Sequence, residues 1–195
     1  MRYLLLYAHP DPQSYAASLH RCVKETLEEK GHEVDDCDLY AEGFAPVLSL
    51  EERRKYNDEG ASHPEVESHV KRLMDARGIV FVYPTWWSGT PAILKGYLDR
   101  VWLPGIAFTM VKGKLVSRLH HIERFGVVTT YGSPRFINQV LLGDPNRRAL
   151  MNGLGRLASP SARKLWLAQY GMDTLGDAAR ARFLTLVKTK VRDFA

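Results

Sequence analysis

Ile79-Val80-Phe81-Val82-Tyr83-Pro84-Thr85-Trp86-Trp87-Ser88-Gly89-Thr90-Pro91 is the stretch whose reading decides the fold. Its first five residues form an unbroken apolar run rich in β-branched side chains, as expected of a strand buried on both faces. The run opens into a short proline-bounded loop. A helix then begins at Pro91, where a missing N–H costs nothing, and Ile93, Leu94, Tyr97, Leu98 and Val101 mark its buried face. Strand, loop and helix in that order form the repeating unit of a parallel sheet.

The same unit recurs on either side. Upstream, Gly78 ends a helix that starts near Pro64 and carries Val66, Val70, Leu73 and Met74 at helical spacing. Tyr3 to Ala8 is a second apolar run and closes at His9-Pro10. Asp11-Pro12-Gln13-Ser14 supplies turn and N-cap chemistry. Leu19, Cys22, Val23, Thr26 and Leu27 follow as a helical stripe that stops at Gly31. Val34 to Leu39 reads as a weaker strand, and Tyr40 to Asn57 as a loop with a charged helical stretch from Leu50. Downstream, Phe125 to Thr130 and Leu165 to Ala168 are strands, and Phe183, Leu184, Val187 and Val191 mark a final amphipathic helix. Strands alternating with helices imply an α/β fold, a three-layer sandwich with right-handed crossovers. Five parallel strands suit the order 2-1-3-4-5, in a single domain over residues 1–195.

Composition narrows the function classes. The 195 residues carry 27 Lys and Arg against 22 Asp and Glu, a net charge of +5. The basic residues are scattered, and no nucleic-acid motif accompanies them, so an anionic small ligand is a better match than nucleic acid. No apolar run is long enough to span a membrane. Two cysteines, Cys22 and Cys37, form neither a disulfide framework nor a metal spacing, which suits a reducing cytoplasm. His120-His121 are adjacent and share no helix face, so no metal site is expected there.

In an open α/β sheet, ligands bind beyond the carboxyl ends of the strands, at the point where strand order reverses. Three segments should meet there: His9 to Ala17, Pro84 to Thr90 and Thr129 to Arg135. The first opens a helix at Gln13, Ser14 and Tyr15, and its unpaired N–H groups could receive a phosphate; read from the residues alone, simple N-capping by Ser14 is the favoured role, because capping signals are common. His9 either reaches a phosphate or bonds to neighbouring backbone. In the second segment, Trp86 and Trp87 could wall a flat ring system, with one of the pair expected in the core. In the third, Thr129, Thr130 and Gly132 offer donors to a ring edge, or else Gly132 supplies unusual dihedrals to a tight turn. Glu51-Glu52-Arg53-Arg54-Lys55 reads as a solvated helical face, and Asp99 and Arg100 as helix-surface partners of their neighbours.

Several motifs together carry a family resemblance. Tyr7-Ala8-His9-Pro10 with Ser14-Tyr15, Asp38-Leu39-Tyr40-Ala41, Gly105-Ile106-Ala107-Phe108 and Thr129-Thr130-Tyr131-Gly132-Ser133 surround the most specific block, Tyr83 to Val101. The chain resembles the NAD(P)H:quinone oxidoreductase family with flavodoxin-like fold, from Met1 to about Ser133; residues 136–170 do not align. The resemblance implies a cytoplasmic homodimer holding FMN or FAD, with FMN preferred, that takes hydride from NAD(P)H at flavin N5 and passes two electrons to a quinone or similar acceptor. It implies cofactor contacts from His9, Gln13, Ser14, Tyr15 and Ala16 on the phosphate side, Pro84, Thr85, Trp86, Trp87 and Ser88 along the ring, and Thr129, Thr130, Tyr131 and Gly132 at the pyrimidine edge. Phe108 would wall the acceptor pocket, from the partner subunit.

The chain departs from the family pattern in places. Ala16 follows Tyr15 where relatives often carry Asn, and Tyr131 replaces a glycine. No histidine follows Gly132 to support a Tyr–His relay, so Tyr131 and Arg135 become the candidates for stabilising reduced cofactor. Two alternatives remain at this level: a flavin-binding regulatory subunit of a membrane transport protein, and a one-electron flavodoxin.

Overall fold

The computed structural model describes residues 1–195. Seven strands are present: β1 (Arg2–Tyr7), β2 (Glu33–Asp38), β3 (Gly78–Thr85), β4 (Phe108–Val111), β5 (Lys114–Ser117), β6 (Arg124–Tyr131) and β7 (Arg163–Gln169). The helices are α1 (Tyr15–Glu29), α2 (Leu50–Lys55), α3 (Glu67–Asp75), α4 (Ala92–Val101), the single turn α5 (Pro145–Arg147) and α6 (Asp177–Phe194). Five strands form one parallel sheet in the order β2-β1-β3-β6-β7. The expected order 2-1-3-4-5 therefore needs correction in chain numbering. An antiparallel hairpin, β4-β5, intervenes outside the sheet. It is largely exposed, so it lacks the apolar run that betrays a buried strand.

The sheet separates two cores because successive side chains on a strand point to opposite faces. Leu4, Leu6, Ile79, Phe81, Tyr83 and Val127 face one side and pack with residues of α3 and α4. Tyr3, Leu5, Tyr7, Val80, Val82 and Val128 face the other, against Leu19, Val23 and Leu27 of α1 and Phe183, Val187 and Val191 of α6. Burial on both faces explains why β1 and β3 read as continuous apolar runs.

Local chemistry sets the helix ends nearest the ligand side. Ser14 Oγ accepts from Ala17 N at 3.1 Å and caps α1. At the other end Gly31 takes φ +75°, and its N–H reaches Glu28 O while His32 N–H reaches Leu27 O, a paired closure that favours glycine. α2 begins with a capping box between Ser49 and Glu52. The expected solvated face of α2 is corrected at Glu52, which is buried. Its Oε1 accepts from Arg100 Nε at 2.7 Å, and Arg100 is buried too rather than lying on the helix surface. Asp99 does stay outside, paired with Lys95.

Residues 137–156, between β6 and β7, are wound largely in π-type turns. Val140, Leu141 and Leu142 of this segment are exposed, as are Phe136 just before it and Met110, Val111, Leu115 and Val116 of the hairpin. No helix is long and apolar enough to cross a membrane.

Candidate functional site

β1, β3 and β6 are neighbours and run in parallel, so their carboxyl ends arrive at one edge of the molecule. The loops beyond them meet there. The ring of His9, just past β1, lies 5.8 Å from that of Trp86, just past β3. Pro84, Thr85, Trp86, Trp87, Thr130 and Gly132 line one open cavity of about 470 Å³ together with Met172 and Asp173. A second cavity of about 420 Å³ adjoins it through Thr85, Trp87, Gly132 and Asp173 and adds Ser88 and Tyr131. Both volumes fall in the range of small-molecule sites.

The turn after β3 is strained. Trp86 and Gly89 exchange backbone hydrogen bonds of 3.1 and 3.0 Å, and the two residues between them, Trp87 and Ser88, take φ of 49° and 62°. Positive φ at both central positions is the geometry that Asn-Gly usually supplies. Non-glycine residues held there cost on the order of 1 kcal/mol or more each, and such strain gathers at functional sites. The expectation of one core tryptophan is overturned. Trp86 is 42% exposed and Trp87 fully so, because the turn projects beyond the sheet edge instead of folding back over it. The N–H groups of Trp87 and Ser88 reach no acceptor in the chain.

The β1–α1 loop is ordered by its own side chains. His9 Nδ1 accepts from Asp11 N at 3.0 Å, and Asp11 Oδ1 accepts from Gln13 N at 2.8 Å. An accepting Nδ1 leaves the imidazole proton on Nε2, a donor still unused. The first-turn N–H groups of Tyr15 and Ala16 also find no acceptor in the chain. Tyr15 points elsewhere, its hydroxyl bonded to Arg180 O at 2.8 Å.

A buried polar network locks the ends of β3 and β6. Thr129 is fully buried, and its hydroxyl pairs with that of Thr85 at 2.9 Å. Asn146 donates to Thr85 Oγ1 at 2.8 Å and accepts from Tyr83 at 3.0 Å. The Tyr131 hydroxyl is 3.4 Å from Asp144 Oδ1, and its ring stacks on Tyr170 at 4.7 Å. Burial pushes the Tyr131 hydroxyl well above the ordinary tyrosine range, against the opposing pull of Asn146. Gly132 does not need unusual dihedrals, contrary to one reading of the turn, since its φ is not positive. It needs a missing side chain: a Cβ there would meet Asp173 Oδ2 at 2.7 Å.

The expected residues divide accordingly. His9, Pro84, Thr85, Trp86, Trp87, Ser88, Thr130, Tyr131 and Gly132 are brought together; Gln13, Ser14, Tyr15 and Ala16 form the helix start beside them. Arg135 is not brought in: it is exposed and donates to Gln139 Oε1 at 2.7 Å. Phe108 lies on the other side of the 88–90 turn, in a larger cavity of about 800 Å³ with Trp102, Leu115 and Leu150. Asp144, Asn146 and Asp173 were not anticipated. Gly143-Asp144-Pro145 carried the one local signal, since Asp144 adopts φ 53° just before a proline-led helical turn.

The family model described as flavodoxin-like fold matches residues 1–145. An uncharacterized NAD(P)H oxidoreductase of Haemophilus influenzae is 32% identical over 155 residues, covering 79% of this chain and 76% of that protein. An NAD(P)H dehydrogenase [quinone] 1 of Rattus norvegicus is 33% identical, covering 55% of this chain but only 45% of its own length. Among solved structures, an NAD(P)H:quinone oxidoreductase from Methanothermobacter marburgensis superposes with a TM-score of 0.82 at 28% identity, covering 99% of this chain and 95% of the other.

Proposed function

Because this chain belongs to the flavodoxin-like family, we propose that it is an NAD(P)H:quinone oxidoreductase working through a bound flavin, FMN in preference to FAD. One observation carries the reading: the β3 and β6 loops share a slot rimmed by exposed indoles and unused backbone donors, and His9 of the β1 loop lies against Trp86 at its edge. The relatives' names support the same reaction class.

The residues fit such a cofactor. Large aromatics outside the core, held on a strained turn, are suited to a planar ring. The first-turn N–H groups of α1, with the donor on His9 Nε2, suit a phosphate, and one helix start suits the single phosphate of FMN. When bound, the flavin would supply two-electron hydride exchange between the nicotinamide donor and the acceptor. The chain's own work is placement and charge. Trp86 and Trp87 would wall the ring, and the N–H groups of Trp87 and Ser88 would meet its polar edge. Thr85, Thr129, Asn146 and Tyr83 hold those groups rigid by keeping the β3 and β6 ends bonded to one another. Tyr131 keeps its proton at neutral pH and serves as a neutral hydrogen-bonding group at the slot wall. The 800 Å³ cavity with Phe108 shares Ser88 with the smaller slot and would receive the acceptor. The exposed apolar side chains of the hairpin and of residues 136–142 support a second copy of the chain as their partner.

The test is direct. Cofactor released by denaturation is identified, and the holoprotein is assayed with NADH and NADPH against a quinone panel. Copurified or readily acquired FMN and parallel steady-state lines are expected. A protein that refuses every flavin overturns the reading.

A further inference from the structure

We propose that Cys37, Glu42 and His69 form a site for a divalent cation of the zinc class, built between β2, the loop after it and α3, and sharing no residue with the flavin slot. Cys37 is the inward-facing, fully buried residue near the end of β2. Its Sγ lies 3.8 Å from Glu42 Oε2 and 3.9 Å from His69 Nδ1. His69 Nε2 lies 3.9 Å from Glu42 Oε2, and one ligand atom from each residue falls within 4.8 Å of the others. Tetrahedral zinc with ordinary Zn–S and Zn–N bonds separates sulfur from nitrogen by about 3.6 Å. The Cys37 sulfur therefore needs to close on Glu42 and on His69 Nδ1 by only a few tenths of an ångström, and the imidazole must turn to bring that same nitrogen and the carboxylate onto one metal.

Tyr97 independently points to an occupant. Its side chain is completely buried, and its hydroxyl has no hydrogen-bond partner. Burial holds that hydroxyl well above the ordinary tyrosine range, so it stays protonated and able to donate. Its ring meets that of His69 edge-on at 5.6 Å. A buried hydroxyl left unpaired costs about 1–3 kcal/mol. A metal-bound water in the space among these groups would satisfy it and complete a four-coordinate shell.

The surroundings already resemble the outer shell of a metal site. Arg72 donates to both oxygens of Glu42 at 2.9 and 2.7 Å and pairs with Asp35 at 2.7 Å, fixing the carboxylate's orientation. Phe44 grips His69 edge-on at 5.0 Å. Thiolate, imidazole and carboxylate together favour zinc over the oxygen-seeking cations. Binding displaces the Cys37 thiol proton, so each cation taken up releases one proton to solvent.

Cobalt(II) is the probe. The full chain, stripped with a chelator and dialysed, is titrated with Co²⁺. A near-ultraviolet thiolate-to-cobalt band is expected to saturate at roughly one equivalent, with proton release, and to be displaced by Zn²⁺. Cys37→Ala should abolish the band and Cys22→Ala should leave it. His69→Gln should weaken Co²⁺ binding about tenfold or more with an unchanged far-ultraviolet spectrum. Absence of the band, or its survival in Cys37→Ala, overturns the site. If Cys37→Ala does not fold, undiminished cobalt affinity in His69→Gln overturns it instead.

Discussion

The imidazole of His9 and the indole of Trp86 lie 5.8 Å apart, tilted by 59°. One ends β1 and the other follows β3, two strands paired in parallel from Tyr3↔Gly78 to Tyr7↔Val82. That register delivers both loops to the same edge, so His9 and Trp86 become neighbours although 77 positions separate them in the chain.

Trp86→Ala should weaken FMN binding about tenfold, or ~1.4 kcal/mol, by removing one aromatic wall. Fluorescence titration of the flavin-free protein checks this. The melting temperature should hardly move, because Trp86 is substantially exposed and leaves no core cavity.

Asp173 places a carboxylate against Gly132 inside the slot. Asp173→Asn should tighten FMN binding several-fold, since removing one nearby negative charge is worth about 1 kcal/mol beside an anionic ligand. The gain should shrink in high salt. Gly132→Ala should act oppositely, by forcing the 172–174 segment away.

Ser88 sits in left-handed backbone without being glycine. Ser88→Gly should stabilise the flavin-free chain by about 1 kcal/mol, which is roughly 2–4 °C for a chain of this size. Differential scanning calorimetry on both forms measures it. An unchanged or lowered melting temperature would mean the turn is not strained.

Glu52 and Arg100 are only 9% and 7% exposed and sit 2.6 Å apart. Glu52→Gln keeps the capping box but leaves the guanidinium buried without its counter-charge, which should cost about 3–5 kcal/mol in urea unfolding. Burial pushes the Glu52 carboxyl up, but hydrogen bonds from Ser49 and Arg100 outweigh it and hold it below its ordinary 4.5. A depressed carboxyl contributes its full stability above that ordinary value and loses it as pH falls through the folded one. The gap between wild type and Glu52→Gln should therefore be constant above pH 4.5 and narrow under acid.

Val140 and Leu141 are mostly exposed on the segment after β6. Val140→Asp with Leu141→Asp should convert a dimer into monomers in sedimentation velocity. Monomeric wild type would remove the second copy from the proposed function.

Parts of the site were legible because their chemistry is local. The β3 run, the Pro-bounded tryptophan loop, the Ser14 cap and the Thr129-Thr130 strand end all announce themselves in short windows. The β4-β5 hairpin did not, since half-exposed strands lack a continuous apolar run. The π-wound segment did not either, because its packing follows no helical or strand period. Asp144, Asn146 and Asp173 act through contacts with Tyr131, Thr85 and Gly132 that no spacing encodes.

By itself the sequence determined the alternation of strand and helix, the identity of the buried runs, and thus a parallel sheet whose ligand edge must lie past β1, β3 and β6. These follow from hydrophobic period and backbone preference, which act over a few residues. Only tertiary structure decided that both tryptophans face outward, that Arg135 stays away from the slot while Asp173 enters it, and that Cys37, Glu42 and His69 share one small space. Those outcomes depend on how separate elements pack, and packing brings together residues whose separation along the chain carries no trace of it.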